Sequence, residues 1–236
     1  YLSEKTRGEL TPEQVTGLTL RSGFNAPQSQ GCNVATTFGS CFGNLGGEKG
    51  RTGEKGDFYY GPGHAQKLVM DLGFGDFRDG DMRDEYSSAL RLPPTAFSFQ
   101  TTRIFDGLHM SPDNLSKFMR AILRGDLYMY TQLGRDAVCL DPHLCPAQKV
   151  LHAPAPRTRD YSIGHWVEKN PYTGGVDAYT ALGRSGIYVW ITADKKHYGY
   201  VIPVDDGINR TALGYACGRT MYRAVLRSTA RPAPAR

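Results

Sequence analysis

Apolar positions recur every three or four residues in some stretches of the chain and every second residue in others. Ala65, Leu68, Val69 and Leu72 share one side of a predicted helix over 63–72, which Gly73 stops. Leu115, Phe118, Met119, Ile122 and Leu123 do the same in the clearest helix, opened by Ser111-Pro112-Asp113 and closed by Gly125. A last long helix is predicted from Asp206 to about Arg227, with Ile208, Leu213, Ala216, Cys217, Met221, Ala224 and Val225 as its inner face. Period-two alternation predicts strands over 161–168, 187–192 and 197–202. The last two form an antiparallel hairpin across the polar turn Ala193-Asp194-Lys195-Lys196.

Thr11-Pro12-Glu13-Gln14 predicts a short capped helix to about Leu18. Between the patterned stretches, residues 22–57 are rich in Gly, Ser, Thr and Asn and read as one long irregular excursion, and residues 74–94 read as loop. No internal repeat is found. With 28 glycines and 14 prolines in 236 residues the chain is rich in loops. Its length suits one large domain or two small ones. At 40% hydrophobic and 22% charged it lies outside the disordered class, and no run approaches the ~20 apolar residues of a membrane-spanning helix. The net charge of +5 arises from basic residues scattered among 23 acids, without basic runs interleaved with aromatics, so a nucleic-acid partner is not expected.

Cysteines add a compartment. Cys32 with Cys41 and Cys139 with Cys145 are closely spaced in loop-like sequence and are read as two local disulfides. Cys217 is left over, either buried or bridging to another chain. Asn114-Leu115-Ser116 and Asn209-Arg210-Thr211 are sequons, making Asn114 and Asn209 candidate glycosylation sites. Together these favour a secreted or extracytoplasmic protein, with an organelle lumen as the alternative and five reduced thiols as the competing reading. The first residues, Tyr1-Leu2-Ser3-Glu4-Lys5, suggest a processed or truncated chain, and 229–236 a frayed tail. Histidines lack paired-ligand spacing, and Asp76, Asp79, Asp81 and Asp84 lack the terminal glutamate of a calcium loop. Neither a metal nor another cofactor is expected.

Five stretches, taken in order, resemble serine hydrolases of the β-lactamase and penicillin-binding-protein superfamily, in particular its esterase-like, class C-like branch. Leu20-Arg21-Ser22-Gly23-Phe24 is similar to the family's Ser-Gly turn. Phe58-Tyr59-Tyr60-Gly61-Pro62-Gly63-His64 is similar to the element that carries its catalytic tyrosine at the start of a helix. Phe105-Asp106-Gly107-Leu108-His109-Met110-Ser111-Pro112-Asp113, followed by Phe118, resembles the start of a long helix. Tyr161-Ser162-Ile163-Gly164-His165-Trp166 and Gly183-Arg184-Ser185-Gly186-Ile187-Tyr188-Val189-Trp190-Ile191 resemble strands of its sheet. The resemblance spans roughly residues 18–226.

It implies an α+β, β-lactamase-like fold: an antiparallel sheet flanked by helices, with a helical, loop-rich part. On that reading residues 1–19 are an N-terminal helical segment, 20–150 the helical and loop-rich part, and 151–228 the sheet and C-terminal helix of the same domain. The family's nucleophile is a serine with a lysine three residues on, where the amine can activate the hydroxyl. No serine here is followed at that spacing by lysine. The N-terminal part of the fold is therefore expected to lie outside this chain, in an upstream segment or companion chain of the same precursor, or to have been lost.

The resemblance makes Tyr60 the candidate proton relay. Its competing role is a packed ring with a satisfied hydroxyl. Pro62 stands where the family has a polar side chain, so His64 is the candidate polar support. No Lys-Thr-Gly or His-x-Gly triplet occurs. Gly183, Arg184, Ser185 and Gly186 are instead the candidate substrate and oxyanion wall, or an ordinary strand entry. The expected function is ester or amide hydrolysis, or acyl transfer, through an acyl-serine. The alternative is a catalytically inactive extracellular structural or assembly protein on the same fold, and a homo-oligomer fits either.

Overall fold

The computed structural model describes residues 1–26, 30–154, 159–183, 185–203 and 210–229. Its mixed α+β chain divides into two compact units: Tyr1–Arg157 with Tyr161–Gly164, and Thr158–Asp160 with His165–Arg236.

The first unit is helical. Helix α1 (Leu2–Lys5) is a single turn, and α2 (Pro12–Leu18) starts as its sequence predicts, with Thr11 and Gln14 forming a reciprocal capping box. The stretch 22–57 is more ordered than its composition suggests. It holds two short 3-10 turns, Gln30–Val34 and Gly47–Gly50, and helix α3 (Phe38–Asn44), capped by Thr37 and pinned by the Cys32–Cys41 disulfide. Strand β1 (Phe58–Tyr59) leads into α4 (Gly63–Asp71).

The stretch 74–94, expected to be loop, holds helix α5 (Asp79–Leu90). Charged residues hide its pattern, leaving only Met82, Tyr86 and Leu90 as an apolar stripe one turn apart. The acids that look like loop residues start this helix: Asp81 accepts a hydrogen bond from the Arg78 N–H at 2.9 Å, and Asp79 and Asp81 oppose the positive end of the helix dipole. Strands β2 (Phe97–Phe99) and β3 (Leu108–Met110) then pair antiparallel before α6 (Pro112–Leu123) and α7 (Met129–Gln132). Strand β4 (Val150–His152) lies parallel to β1. The core joins Phe38, Val69, Met82, Ala96, Phe97 and Phe99. Cys139 and Cys145 form the second disulfide, so both local pairs read from spacing are present.

The second unit is a sheet with one long helix. The sheet's strands run in sequence order: β5 (Arg159–Tyr161), whose last residue is counted with the first unit, then β6 (Trp166–Lys169), β7 (Val176–Leu182), β8 (Tyr188–Thr192) and β9 (Tyr198–Val201). The single strand expected over 161–168 is broken, because the chain bends at Ser162–His165 with Gly164 at φ +81°. The β8–β9 hairpin falls where alternation predicts it. Strand β7 was not expected, although it pairs with both β6 and β8.

Helix α8 (Arg210–Thr229) packs on this sheet with a different face from the one expected. Leu213 is 51% exposed and Met221 49%, and Ala216, Cys217 and Ala224 are also exposed. The inner face is Gly214, Tyr215, Gly218, Arg219 and Tyr222, continued by Leu226 and by Val225, the one described residue of the expected face that packs here. Two glycines allow it. A Cβ on Gly214 would lie 1.7 Å from the Gly186 carbonyl oxygen, and one on Gly218 would lie 2.0 Å from the Tyr188 ring. Close backbone approach therefore overrides the apolar pattern. Among the described residues no helix is long and apolar enough to cross a membrane. Ile208, the predicted helix start at 206–209 and the tail from 230 lie outside the described residues.

Candidate functional site

The segments 20–24 and 58–64 are clipped together in the first unit. The Tyr59 N–H donates to the Leu20 carbonyl at 3.1 Å, and a Cβ on Gly63 would lie 2.4 Å from the Phe24 carbonyl oxygen. Fully buried His64 completes the clip. Its Nε2 lies 2.9 Å from the Tyr59 carbonyl and, as the ring's N–H donor, leaves Nδ1 as acceptor for the Ser22 hydroxyl at 2.7 Å and the Ser22 N–H at 3.2 Å. The ring is thus spent holding the Ser22–Gly23 turn against the β1–α4 corner, which makes His64 a positioning group.

Burial depresses the His64 pKa from its ordinary 6.5 to about 4, against the smaller opposing effect of the Tyr59 carbonyl. Unfolded chain therefore binds a proton below about pH 6.5 that folded chain refuses until about pH 4. The stability contributed by neutral His64 is complete above 6.5 and is lost as pH falls through that window. Between about pH 7 and about pH 5 the loss should be about 2 kcal/mol. Urea denaturation followed by circular dichroism, on the wild type and on His64→Gln, checks this. The wild type should lose about 2 kcal/mol more than the variant over that range, and equal losses would remove His64 as the cause.

Tyr60 sits beside this clip, half-buried between β1 and the first turn of α4. Its N–H donates to the His152 carbonyl at 2.9 Å, and its ring meets Tyr161 edge-on at 5.8 Å. Burial raises the Tyr161 phenol pKa far above its ordinary value, with Tyr60 adding to the rise. A phenol relays protons more readily when a cation lies beside it. Lys149 adjoins β1, its carbonyl accepting from the Phe58 N–H, but its ammonium is 2.7 Å from Asp57. That hydrogen bond raises the Lys149 pKa, so the ammonium keeps its proton and donates it in a hydrogen bond to Asp57.

Gly183, Ser185 and Gly186 belong to the second unit, where they turn the chain between β7 and β8. The Gly183 N–H donates to the Ile187 carbonyl at 2.8 Å, and the Gly186 N–H to the Gly183 carbonyl at 2.9 Å. Both amides are used within the hairpin, and Ser185 is the exposed member. Arg184 and Asn209 lie outside the described residues. Asn114, in the first turn of α6, is half-buried and donates its side-chain amide to the Ala96 carbonyl at 3.0 Å. Among the described residues no group of three or more His, Cys, Asp or Glu is placed to hold a metal ion.

A buried charge network in the second unit was missed from the sequence. Glu168 is 3% exposed and accepts from the hydroxyls of Thr180 at 3.1 Å and Tyr188 at 3.0 Å. Two arginines neutralise it, Arg159 at 3.5 Å and Arg219 at 3.1 Å. Arg219 also pairs with Asp177, which accepts a second bond from the Tyr222 hydroxyl at 2.8 Å. Burial disfavours the Arg219 cation, but Asp177 and Glu168 outweigh it and raise its pKa. Burial and Glu168 together push the Tyr188 phenol up. One signal was legible: in β6, Glu168 alternates in phase with Trp166, which puts a carboxylate on a buried face where it requires a cation. The chain matches no protein-family model, no curated protein and no solved structure.

Proposed function

We propose that this chain is the C-terminal portion of a β-lactamase-like serine hydrolase, acting on an ester or amide through an acyl-serine. Tyr60 is its proton relay, and the nucleophile comes from an upstream segment or companion chain of the precursor. One observation carries the reading: the Ser22–Gly23 turn and the Tyr60 corner, far apart in sequence and chosen for their motifs, are joined by direct bonds through His64. The clip leaves Tyr60 partly exposed. Asp57 claims Lys149, so the lysine that lowers the phenol's pKa belongs with the nucleophile segment. Two disulfides fit an oxidising, secreted or lumenal setting.

A fluorophosphonate probe, which acylates activated serines irreversibly, tests this on native material. Labelling should fall on a co-purifying or covalently continuous segment carrying Ser-x-x-Lys, and the same material should hydrolyse p-nitrophenyl esters. Unlabelled material with no esterase activity would overturn the enzyme reading. It would leave the inactive assembly protein, which the apolar outer side of α8, with Leu213 and Met221 half-exposed, favours.

A further inference from the structure

Ligand-binding clefts usually enclose about 300 to 1,000 Å³, and the first unit has an open cleft of about 670 Å³. Arg83, Pro94, Thr95, Ser98, His109 and Met110 line it. None of these residues belongs to the Tyr60 corner. Its walls are regular elements, so it is preformed. Ser98 and His109 face each other across the β2–β3 pair, on the side away from buried Phe97 and Phe99. Cross-strand partners stand side by side, which puts a hydroxyl and an imidazole in reach of one ligand group.

The charge of the cleft restricts its ligand. Arg83 is the guanidinium in the lining, and Asp84 binds it through Nη2 at 2.8 Å and Nε at 2.9 Å. Asp113, beside the lining residue Ser111, adds another exposed carboxylate that Lys117 pairs at 2.7 Å. Among the described residues of the lining, Arg83 is the one fixed cation and Asp84 compensates it, so little there attracts an anion. What remains is a mixture of donors and acceptors on Thr95, Ser98, His109 and the free edge of Arg83, beside apolar surface on Pro94 and Met110. A neutral sugar ring has that same mixture, hydroxyls around its rim and C–H groups on its faces. We propose that this cleft binds a short neutral oligosaccharide, with His109 and Arg83 as the hydrogen-bonding residues that hold it.

NMR titration of the isotopically labelled whole chain tests this with maltotriose, cellotriose, tri-N-acetylchitotriose and, separately, inorganic phosphate. At least one trisaccharide should give saturable shifts at the Ser98 and His109 amides, with a dissociation constant on the order of 1 mM. His109→Ala and Arg83→Ala should each weaken it about tenfold or more, a loss of about 1.4 kcal/mol. Both side chains are at least partly exposed, and an unchanged amide spectrum elsewhere verifies folding. The proposal falls if no trisaccharide gives saturable shifts, if the variants bind as well as the wild type, or if phosphate alone saturates the cleft.

Discussion

Glu168→Ala is expected to destabilise the second unit by about 3–5 kcal/mol. The substitution removes the carboxylate between Arg159 and Arg219, leaving one of two acids to balance two buried cations. It also strips acceptors from the Thr180 and Tyr188 hydroxyls. The Arg219 Nη1 lies near Glu168 but off the angle of a good hydrogen bond, so charge supplies most of this interaction. Tryptophan fluorescence reads the effect cleanly, since both tryptophans of the chain, Trp166 and Trp190, are buried in this unit. Paired removal should be milder. In Glu168→Met with Arg159→Met, Arg219 and Asp177 still balance, and the loss should be smaller than for Glu168→Ala alone. A loss below about 1 kcal/mol for Glu168→Ala would mean that water reaches the arginines.

Tyr60→Phe should lower ester hydrolysis about 10²–10⁴-fold in the polypeptide that carries the nucleophile, the range for removing a positioned acid or base. Only the hydroxyl is lost. The ring keeps its edge contact with Tyr161 and the backbone its bond to His152, so the unfolding free energy from urea denaturation should stay within about 1 kcal/mol of wild type. Loss of rate with stability intact separates a relay from a packing role. An unchanged rate removes Tyr60 from the chemistry.

Helices α4 and α6 and the β8–β9 hairpin are legible because each has a local signal: apolar spacing, a cap, a stop or a polar turn. Helix α5 is nearly invisible, because one apolar residue per turn suffices when Phe97 and Phe99 cover that narrow stripe. Strand β7 is obscured because its inward positions are small or polar, with Ala178 and Thr180 facing Glu168 and Trp166. At the candidate site the sequence singled out Tyr60 and His64. Ser22 as the histidine's partner emerges only when residues 42 apart in sequence meet.

The sequence by itself determined the local elements with strong periodicity, the two short disulfide loops and the absence of a Ser-x-x-Lys motif, since each is a matter of residue type and spacing. Tertiary structure alone decided which face of α8 is buried. Apolar count points to Leu213, Cys217 and Met221, but the sheet accepts the side where Gly214 lets the helix backbone approach Gly186, Gly218 makes room for the Tyr188 ring and Arg219 reaches Glu168. It also decided that His64 is spent on Ser22 and Tyr59. Periodicity records what a side chain prefers, whereas close approach and charge pairing depend on which surface arrives opposite it.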